Sequence, residues 1–473
     1  MKLTEILQVI TEKENLELYD NDAFIDLWGS WWSGKVADFH NYTIYNGKRR
    51  IYMERMSLNM GKKVSEDWAD LLINEKTDIT LSDNSSQKVL EEILKNTKFW
   101  QKANEGVEKS FALGMGAFVV NVENISTNMD GETEKDGEVK VIFCNAKKIR
   151  PITIKDGVIT ECAFVNIDTN KTYISAHIIG KDGNYEIHNV TAEGKDEDTL
   201  TIVEDSYYTF KTNSTTPWFS ILRPNVANNI NINSPLGISI FANAIDILKQ
   251  IDLVYDSYAT EFLLGKKRVF VNAEGVTIDR HTGEPIDVFD SNDIAFYYLP
   301  ESADGKIFLE SVNENLRIAE HNEALQNHLN LLSSSCGLGT QHYKFEKGTI
   351  TTATQVISEN SELFRTKKKH EILIEQCLND IVRAIIYAVN TFTKDTINEN
   401  VEIIVKFDDS IVEDKEAQKA SDRIDVASGI MSKAEYRAKW YNEDLKTAQS
   451  KINEISENQI VDDYSEPYQP TEQ

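Results

Sequence analysis

The stretch that decides the fold lies at residues 235–264 and reads PLGISIFANAIDILKQIDLVYDSYATEFLL. Ser234 and Pro235 predict a helix start, because serine caps free N–H groups and proline lacks the N–H that the first turn leaves unpaired. Gly265 is a typical residue just beyond a helix end. In between, apolar side chains recur at spacings of three and four, which predicts one amphipathic helix. These apolar residues are Phe241, Ile245, Leu248, Ile251, Tyr255, Tyr258 and Phe262.

Two further helices follow, with a compact insert between the first and the second. The pattern predicts helices at Asn313 to Ser335 and at Thr352 to Phe392. The insert, residues 265–312, contains apolar runs that predict strands at Val269 to Val271, Ile294 to Leu299 and Lys306 to Leu309. At about 1.5 Å per residue, the three helices span about 45, 35 and 60 Å. Rods of this length outrun one compact core, so we expect neighbours, most economically copies of the chain in a ring.

The composition is that of a large protein with several modules. The chain has 473 residues, of which 41% are apolar and 27% charged. Cores stop growing near about 250 to 300 residues, so we expect two to four modules. No apolar run approaches the roughly 18 residues of a membrane span, and the amino terminus lacks the apolar stretch of a signal peptide, so we expect folding in the cytosol.

The cysteines and the net charge exclude several kinds of site. Cys144, Cys162, Cys336 and Cys377 are far apart and form no Cys-x-x-Cys pair, so we expect buried, reduced thiols rather than zinc ligands or disulfides. The formal charge of −27 argues against tight or sequence-specific nucleic-acid binding. It is compatible with a channel for DNA, because a wall of like charge repels the duplex and prevents sticking.

The amino-terminal half has the pattern of an α+β fold. Residues 1 to about 125 are mostly helical in pattern, and Ser86 to Leu113 predicts one helix that ends at Gly114-Met115-Gly116, before a strand at Ala117 to Val122. Alternating runs separated by Asp-Gly turns then predict an antiparallel meander. Its strands lie at Val139 to Cys144, Val158 to Ile167, Thr172 to Ile179, Tyr185 to Val190 and Tyr207 to Phe210.

The carboxyl-terminal part continues with one strand and short helices. Val401 to Phe407 predicts a strand, and helical patterns follow at Ala417 to Val426, Ser432 to Trp440 and Asp444 to Ile455. The acidic end, with Pro467 and Pro470, is typical of a disordered tail.

Three stretches and the order of the elements between them resemble the portal proteins of long-tailed bacteriophages. The stretches are GKKVSEDWADLLINEKTD at residues 61–78, GISIFANAIDILKQIDLVYDSYATEFLLG at 237–265 with Lys266-Lys267-Arg268 after it, and TATQVISENSELFRTKKKH at 352–370. The resemblance implies an α+β fold of the portal type, with long stem helices, a small α/β clip, a mixed α/β wing and a helical crown.

The resemblance also implies a division of the chain. Residues 1–234 would form most of the wing, 235–264 and 313–335 the stem, and 265–312 the clip. Residues 336–351 would hold the tunnel loop, 352–412 the long wing helix and a strand, and 413–473 the crown and acidic tail.

A portal protein implies a dodecameric ring around a channel at one capsid vertex of the virion, assembled in the host cytoplasm. Double-stranded DNA would pass through it without sequence preference during packaging and ejection. The implied protein partners are the terminase large subunit, docked on the clip, the head-completion or connector proteins, the scaffold and the major capsid protein. No catalytic, cofactor, metal or membrane site is implied.

The resemblance assigns four groups of residues to these roles. The tunnel loop would contain Tyr343, Lys344, Phe345, Glu346, Lys347 and Gly348, with Lys344 and Lys347 touching phosphates weakly. The basic residues Lys266, Lys267 and Arg268 would either oppose the helix dipole or face the channel. The clip surface for the motor would include Arg280, Glu284, Asp287, Glu301 and Asp304. The seam between subunits would be Phe241, Ile245, Leu248, Ile251, Tyr255 and Phe262.

One motif favours a different class of protein. GSWWSGK at residues 29–35 fits the first seven positions of a phosphate-binding P-loop, which would make the chain a subunit of an ATP-hydrolysing motor. Val36 stands where the Mg²⁺-binding Ser or Thr belongs, and Trp31 and Trp32 are too bulky for a loop that wraps phosphates. Aromatic packing or a subunit contact is the simpler interpretation. Another structural protein of the virion, a scaffold or capsid subunit, is the second alternative.

Two charged clusters leave alternatives open. His321, His328 and Glu323 are close enough in sequence for a metal site, but no third ligand at suitable spacing is visible, which favours isolated surface histidines. The cluster from Lys367 to His370 would contact DNA or an acidic partner, or would be a solvated helix face or an intersubunit salt-bridge strip.

Overall fold

The structure is a computed structural model. It describes residues 1–14, 16, 18–19, 21–45, 49–124, 136–194, 196–264, 268–272, 281, 296–299, 309–312, 315–344, 353–408, 415–441 and 443–462. Two compact units are present. The first contains Met1–Glu346 and Arg365–Phe407, and the second contains Lys347–Phe364 and Asp408–Gln473.

The helices occur in every part of the chain. They are α1 (Leu3–Thr11), α2 (Asp22–Ser33), α3 (Ala37–His40), α4 (Met60–Leu72), α5 (Asn84–Asn96), α6 (Phe99–Leu113), α7 (Ile245–Leu264), α8 (Ile318–Ser335), α9 (Ala353–Phe392), α10 (Lys415–Ala427), α11 (Lys433–Tyr441) and α12 (Leu445–Asp462). No described helix is both long enough and apolar enough to cross a bilayer.

The strands precede, interrupt and follow the helices. They are β1 (Asn41–Tyr45), β2 (Arg50–Glu54), β3 (Asp78–Leu81), β4 (Gly116–Glu123), β5 (Glu138–Asn145), β6 (Ile149–Lys155), β7 (Val158–Asp168), β8 (Lys171–Ile179), β9 (Tyr185–Glu193), β10 (Thr201–Ile202), β11 (Tyr208–Lys211), β12 (Phe219–Leu222), β13 (Arg268–Asn272), β14 (Phe296–Leu299), β15 (Leu309–Val312) and β16 (Ile403–Lys406). The α+β class predicted from the sequence is confirmed.

Four of the five strands of the predicted meander lie in the largest described sheet, but the first, Val139 to Cys144, is β5 and pairs with β4 in another sheet. β6, β7, β8 and β9 are consecutive antiparallel neighbours, and β10 and β11 both pair with β9. Helix α1 covers one face of this sheet, because its residues Leu3, Ile6, Leu7 and Ile10 are buried in one cluster with inward-facing residues of β6–β9. The sheet therefore obtains its core from the amino terminus of the chain.

A helical layer lies beside smaller sheets in the same unit. α4 packs against α6 and α2, and the His370 ring of α9 lies 4.7 Å from Trp68 on α4 and 5.0 Å from Phe111 on α6, between ring centroids. β12, β4 and β5 form an antiparallel sheet, and β16 pairs with β3. The long helix from Arg365 onward and the strand after it thus belong to the first unit.

The insert between α7 and α8 contains a mixed sheet. β13 is its central strand, parallel to β14 and antiparallel to β15. The strand predicted at Val269 to Val271 is confirmed within β13, and the strand predicted at Ile294 to Leu299 is confirmed over its described part as β14. Residues 294, 295 and 306–308 lie outside the described residues, so the third predicted strand, Lys306 to Leu309, is tested at Leu309 alone, which begins β15.

The helix predicted to begin at Pro235 begins ten residues later, at Ile245, after a short 3₁₀ turn at Ala242–Ala244. The cause is a long-range backbone contact. The N–H of Ile240 donates to the carbonyl of Phe111 over 2.8 Å, and a Cβ on Gly237 would lie 2.0 Å from the carbonyl oxygen of Gly114. Residues 235–241 are therefore docked on the end of α6 and cannot join the helix.

Two other predicted helix boundaries are also wrong. Ser86 to Leu113 is two helices rather than one, because Lys98 adopts a left-handed conformation with φ 52° between α5 and α6. The second stem helix begins at Ile318 rather than at Asn313. The helix stop at Gly114 is confirmed, since this residue has φ 88° directly after α6.

The second unit contains α10, α11 and α12. The Asp422 carboxylate of α10 accepts a hydrogen bond from the Trp440 indole N–H of α11 over 2.8 Å and pairs with Lys439 over 2.8 Å. The three helices correspond to the three predicted from Ala417, Ser432 and Asp444 onward.

Candidate functional site

The two helices flanking the insert form an antiparallel pair. The carboxylate of Glu261, near the end of α7, accepts two hydrogen bonds from the Arg317 guanidinium at the start of α8, at 3.1 and 2.6 Å. These bonds lower the pKa of Glu261 to about 2. Tyr258, one turn earlier, faces His321 with ring centroids 5.5 Å apart. The pair is about 30 Å long, since α7 has 20 residues.

A buried carboxylate fixes this pair to the amino-terminal region. Asp252 of α7, with 3% of its surface exposed, accepts hydrogen bonds from the Leu58 N–H at 2.8 Å, from the Ser57 hydroxyl at 2.9 Å and from His40 Nε2 at 3.0 Å. The Val36 N–H donates to His40 Nδ1 over 2.9 Å. Because Nδ1 is an acceptor, the proton of the neutral ring lies on Nε2 and points at Asp252.

Half of the predicted seam is not available to a neighbouring subunit. Phe241, Leu248 and Ile251 are buried inside the chain itself, with 1%, 2% and 0% of their surface exposed, so the prediction is wrong for these three. The helix uses that stripe to pack on its own subunit. Ile245 and Tyr255 are half-buried, and Phe262 is exposed.

The pair exposes a set of apolar side chains of which the periodicity identified Phe262 alone. Each of the five has at least 40% of its surface exposed: Leu253, Phe262, Leu263, Ile318 and Leu331. Scattered exposed apolar residues are ordinary. These five lie on more than one side of the pair, because Leu253 and Phe262 are nine residues apart and therefore on opposite faces of α7.

The predicted tunnel loop starts with an anchored residue. The Tyr343 hydroxyl donates to Asp67 on α4 over 2.7 Å, and its carbonyl accepts from Gln326 on α8 over 2.9 Å. Burial raises the pKa of Tyr343, and the neighbouring Asp67 raises it further. Tyr343 is therefore a fixed anchor at the start of the predicted tunnel loop. It does not project freely. Lys344 is exposed.

The remaining members of the predicted channel and clip groups lie outside the described residues. These are Phe345, Glu346, Lys347 and Gly348 of the loop, Lys266 and Lys267 after α7, and Arg280, Glu284, Asp287, Glu301 and Asp304 of the clip. Arg268 is the first residue of β13. Their roles stay predictions.

Two of the four residues from Lys367 to His370 lie neither on a solvated face nor on a strip for DNA. Lys367 and His370 each have 1% of their surface exposed. Lys367 pairs with the buried Glu371 one turn later, and Lys368 joins the same carboxylate at 3.0 Å. Lys369 is exposed. Two of the four residues therefore contribute to the interior of the subunit, and both open interpretations of the cluster are wrong for them.

Two buried histidines, His370 and His177, are neutral at pH 7. The Nδ1 of His370 accepts a hydrogen bond from the N–H of Asn225 over 3.0 Å. Desolvation lowers the pKa of His370 to about 3, helped by Lys369, and desolvation lowers the pKa of His177 to about 3 as well. Between about pH 3 and 6.5 the unfolded chain binds a proton at each position that the folded chain does not, so stability rises with pH in this range.

We expect His177→Leu to reduce the pH dependence of stability. Each such histidine contributes a slope of about 1.4 kcal/mol per pH unit to the unfolding free energy between about pH 3 and 6.5, so its full contribution to stability is present above pH 6.5 and is lost as the pH falls below that value. Urea unfolding at several values between pH 4 and pH 6 measures this slope. A variant with the same slope as the wild type would contradict the neutral, buried state of His177.

The P-loop interpretation is wrong. Gly29 to Ser33 lie inside α2, which ends at Ser33 with Gly34 in the left-handed conformation, so no loop follows a strand here. Trp28 and Trp31 are buried, and the Trp32 indole N–H donates to Glu108 over 2.9 Å. The aromatic cluster is a packing element, as the simpler interpretation predicted.

The described thiols and histidines do not form a metal site. All four cysteines are buried and unbridged, and burial raises the pKa of Cys336 and Cys377 to about 12. Over the ranges that the structure covers, no three His, Cys, Asp or Glu side chains are grouped to hold a metal ion. His321 lies 3.8 Å from Glu261, within the contact between α7 and α8.

Comparisons with known proteins were made for the whole chain. No curated protein sequence matches it significantly. One solved structure, titled "Neck of native GTA particle computed with C12 symmetry", aligns with 9% identity and a TM-score of 0.45, over 91% of this chain and 96% of that one. The sequence profile of the family described as "Phage portal protein, SPP1 Gp6-like" matches residues 8–461. The chain therefore belongs to the SPP1 Gp6-like family of phage portal proteins.

Proposed function

We propose that copies of this chain close into a ring at one vertex of the phage capsid, around a channel through which double-stranded DNA is packaged and ejected. Membership of the portal family supports this proposal. The observation that carries it is the apolar surface of the α7–α8 pair, where Leu253 and Leu331 have 48% and 54% of their surface exposed. An isolated subunit leaves this surface in water, whereas a ring covers it at every subunit.

The experiment is light scattering after gel filtration, over a range of protein concentrations. The proposal expects a particle many times heavier than the 53.8 kDa chain. The family resemblance favours twelve subunits, a number that native mass spectrometry measures directly. A chain that stays at its monomer mass at high concentration, and in the presence of capsid and scaffold proteins, would contradict the proposal.

Passage of DNA through the ring is supported by the charge of the chain. The formal net charge is −27, so most of the surface repels the phosphate backbone, which favours sliding over adhesion. Basic contacts are then few and local, and we assign them to Lys344 and Lys347 of the tunnel loop. Whether Lys266, Lys267 and Arg268 also reach the channel is part of the same proposal.

Removal of the loop beyond its anchor tests this assignment. Replacing residues 344–350 by seven Gly and Ser residues, with Tyr343 kept, should leave rings intact, because the anchor to Asp67 is retained. DNA packaging or retention in an assembly assay should fall. The matched control is Lys181→Ala, which removes an exposed cation far from the loop in sequence. Loss of rings, or normal packaging without the loop, would contradict the assignment.

The insert between α7 and α8 is proposed as the docking surface for the terminase large subunit. Glu284→Lys together with Asp304→Lys should weaken terminase binding without unfolding the protein, because reversed charges repel a complementary surface. Glu123→Lys with Asp168→Lys, at exposed ends of β4 and β7, is the control. Equal terminase affinity for the two double variants, measured by surface plasmon resonance, would reject the surface.

The other proposed partners are the head-completion or connector proteins, the scaffold and the major capsid protein. The proposal includes no catalysis and no cofactor, in keeping with the structural role of the portal family. We place the protein in the virion, after assembly in the host cytoplasm. The ATPase alternative is not favoured, since Gly29 lies inside α2, and no observation favours a scaffold or shell subunit.

A further inference from the structure

The hairpin of β1 and β2 is a separate two-stranded sheet of the amino-terminal unit. It pairs Asn41–Tyr45 with Arg50–Glu54, and no described strand joins either outer edge. A two-stranded hairpin is marginally stable alone in water, and free edges and faces are sites where another chain can add. The sequence did not predict it, because the region was assigned mostly to helices.

Both faces of this hairpin carry apolar side chains that are exposed to solvent. Directly opposed residues share a face, so Tyr42, Ile44, Ile51 and Met53 lie together on one side. Of these, Ile44 has 42% and Met53 36% of its surface exposed. On the other side, Tyr52 has 63% exposed. Within the part of the chain that the structure describes, Ile44, Met53 and Tyr52 are thus left partly in water, on both faces of the hairpin.

The charge of the hairpin is opposite to that of the chain. Residues 41–55 contain Lys48, Arg49, Arg50 and Arg55, and Glu54 is their one acidic residue. The whole chain has a net charge of −27. A basic, apolar hairpin is therefore complementary to the acidic surface of a second copy of the same chain. Tyr and Arg are also the residue types most enriched at the energetic centres of protein interfaces.

The base of the hairpin is held rigidly on α7. Directly after β2, the N–H of Met56 donates to Asp256 over 3.0 Å, and the Leu58 N–H and Ser57 hydroxyl donate to Asp252. Arg55 lies over the Phe39 and Tyr42 rings, 4.3 and 4.9 Å from their centroids. The hairpin is thus positioned on the same helix that carries the exposed Leu253.

We propose that the β1–β2 hairpin is a subunit-contact arm, which packs its apolar faces and basic residues against a neighbouring copy of the chain in the ring. This inference rests on the proposed ring and names a contact that holds it together. Double-stranded DNA is the less suitable occupant, because phosphates would neutralise the arginines and leave Ile44, Tyr52 and Met53 in water.

Photo-cross-linking identifies the occupant directly. With p-benzoylphenylalanine at Tyr52 of the full-length protein, irradiation of assembled rings should give covalent dimers and higher multiples, and mass spectrometry should locate the link between two copies. If the unsubstituted protein makes no rings, the proposed function and this inference both fail. If rings form, but the probe links within its own chain, to DNA, to a capsid protein or to nothing, this inference alone fails.

A pair of matched variants gives an independent readout. Ile44→Ser with Tyr52→Ser should raise the concentration needed for half-maximal ring formation by at least about tenfold, because two interface side chains are lost. Ile167→Ser with Tyr441→Ser is the control, with the same residue types and similar exposure, 45% and 59%. Circular dichroism shows whether both variants are folded. Equal assembly of the two folded variants would overturn the inference.

Discussion

Replacing Leu253 and Leu331 together by Asp is expected to leave the subunit folded and to prevent ring formation. Both side chains are about half exposed in the single chain, so a charged residue there costs the monomer little. In a ring each would lose about 0.8 to 1.5 kcal/mol of apolar burial, half of the value for a fully exposed side chain, and would also place a carboxylate in a desolvated seam. The loss exceeds about 4 kcal/mol per interface, which weakens each contact about a thousandfold.

Two single variants on the same helix separate this effect from others. Gln250→Asp adds the same charge at an exposed polar position of α7 and should assemble normally. Ile251→Asp, at a position with 0% exposure, should lower the free energy of unfolding by about 4 kcal/mol or more, because the charge enters the core. Gel filtration and circular dichroism distinguish the three outcomes. Normal rings from the Leu253 and Leu331 double variant would mean that the seam lies elsewhere.

Asp252→Ala is expected to lower the unfolding free energy by about 3 to 5 kcal/mol. The substitution removes the acceptor of three donors: the buried His40 Nε2–H and the half-buried Leu58 N–H and Ser57 hydroxyl. These donors fix the segment after the β1–β2 hairpin on α7. We therefore expect the hairpin to lose its fixed position as well, and ring formation to weaken with it.

The measurement is urea unfolding followed by tryptophan fluorescence, in the background of the Leu253 and Leu331 double variant so that assembly does not add to the apparent stability. Asp256→Ala is the matched control, because it removes one acceptor, of the Met56 N–H, from the same helix. We expect about 1 kcal/mol for the control. Equal losses for the two variants would contradict the anchoring role of Asp252.

Helices α7 and α8 show which features could be predicted from the sequence and which could not. Periodicity predicted α7 and α8 and the apolar character of both, and the resemblance at residues 61–78, 237–265 and 352–370 was confirmed at the family level by the match over residues 8–461. Periodicity did not identify the outward stripe. α7 has apolar residues on more than one side, and spacing alone does not distinguish Leu248, which packs inward, from Leu253, which faces outward.

Two helix boundaries, the start at Pro235 and the break at Lys98, could not be predicted because short-range sequence patterns do not mark them. Residues 235–241 have a helical pattern, but the contact of Gly237 with Gly114 lies more than 100 residues away in sequence. The break at Lys98 carries no Gly or Pro, so nothing in the pattern marks it. Lys367 and His370 resemble a surface cluster, and their burial depends on Glu371 and on the rings of Trp68 and Phe111.

Negative-stain electron microscopy of the purified full-length protein tests the central claim most directly. The account predicts closed rings with one axial lumen wide enough for duplex DNA in the wild type, and dispersed single subunits in the Leu253 and Leu331 double variant. Particles of monomer size in the wild type at high concentration, or closed shells and open filaments without a lumen, would contradict it.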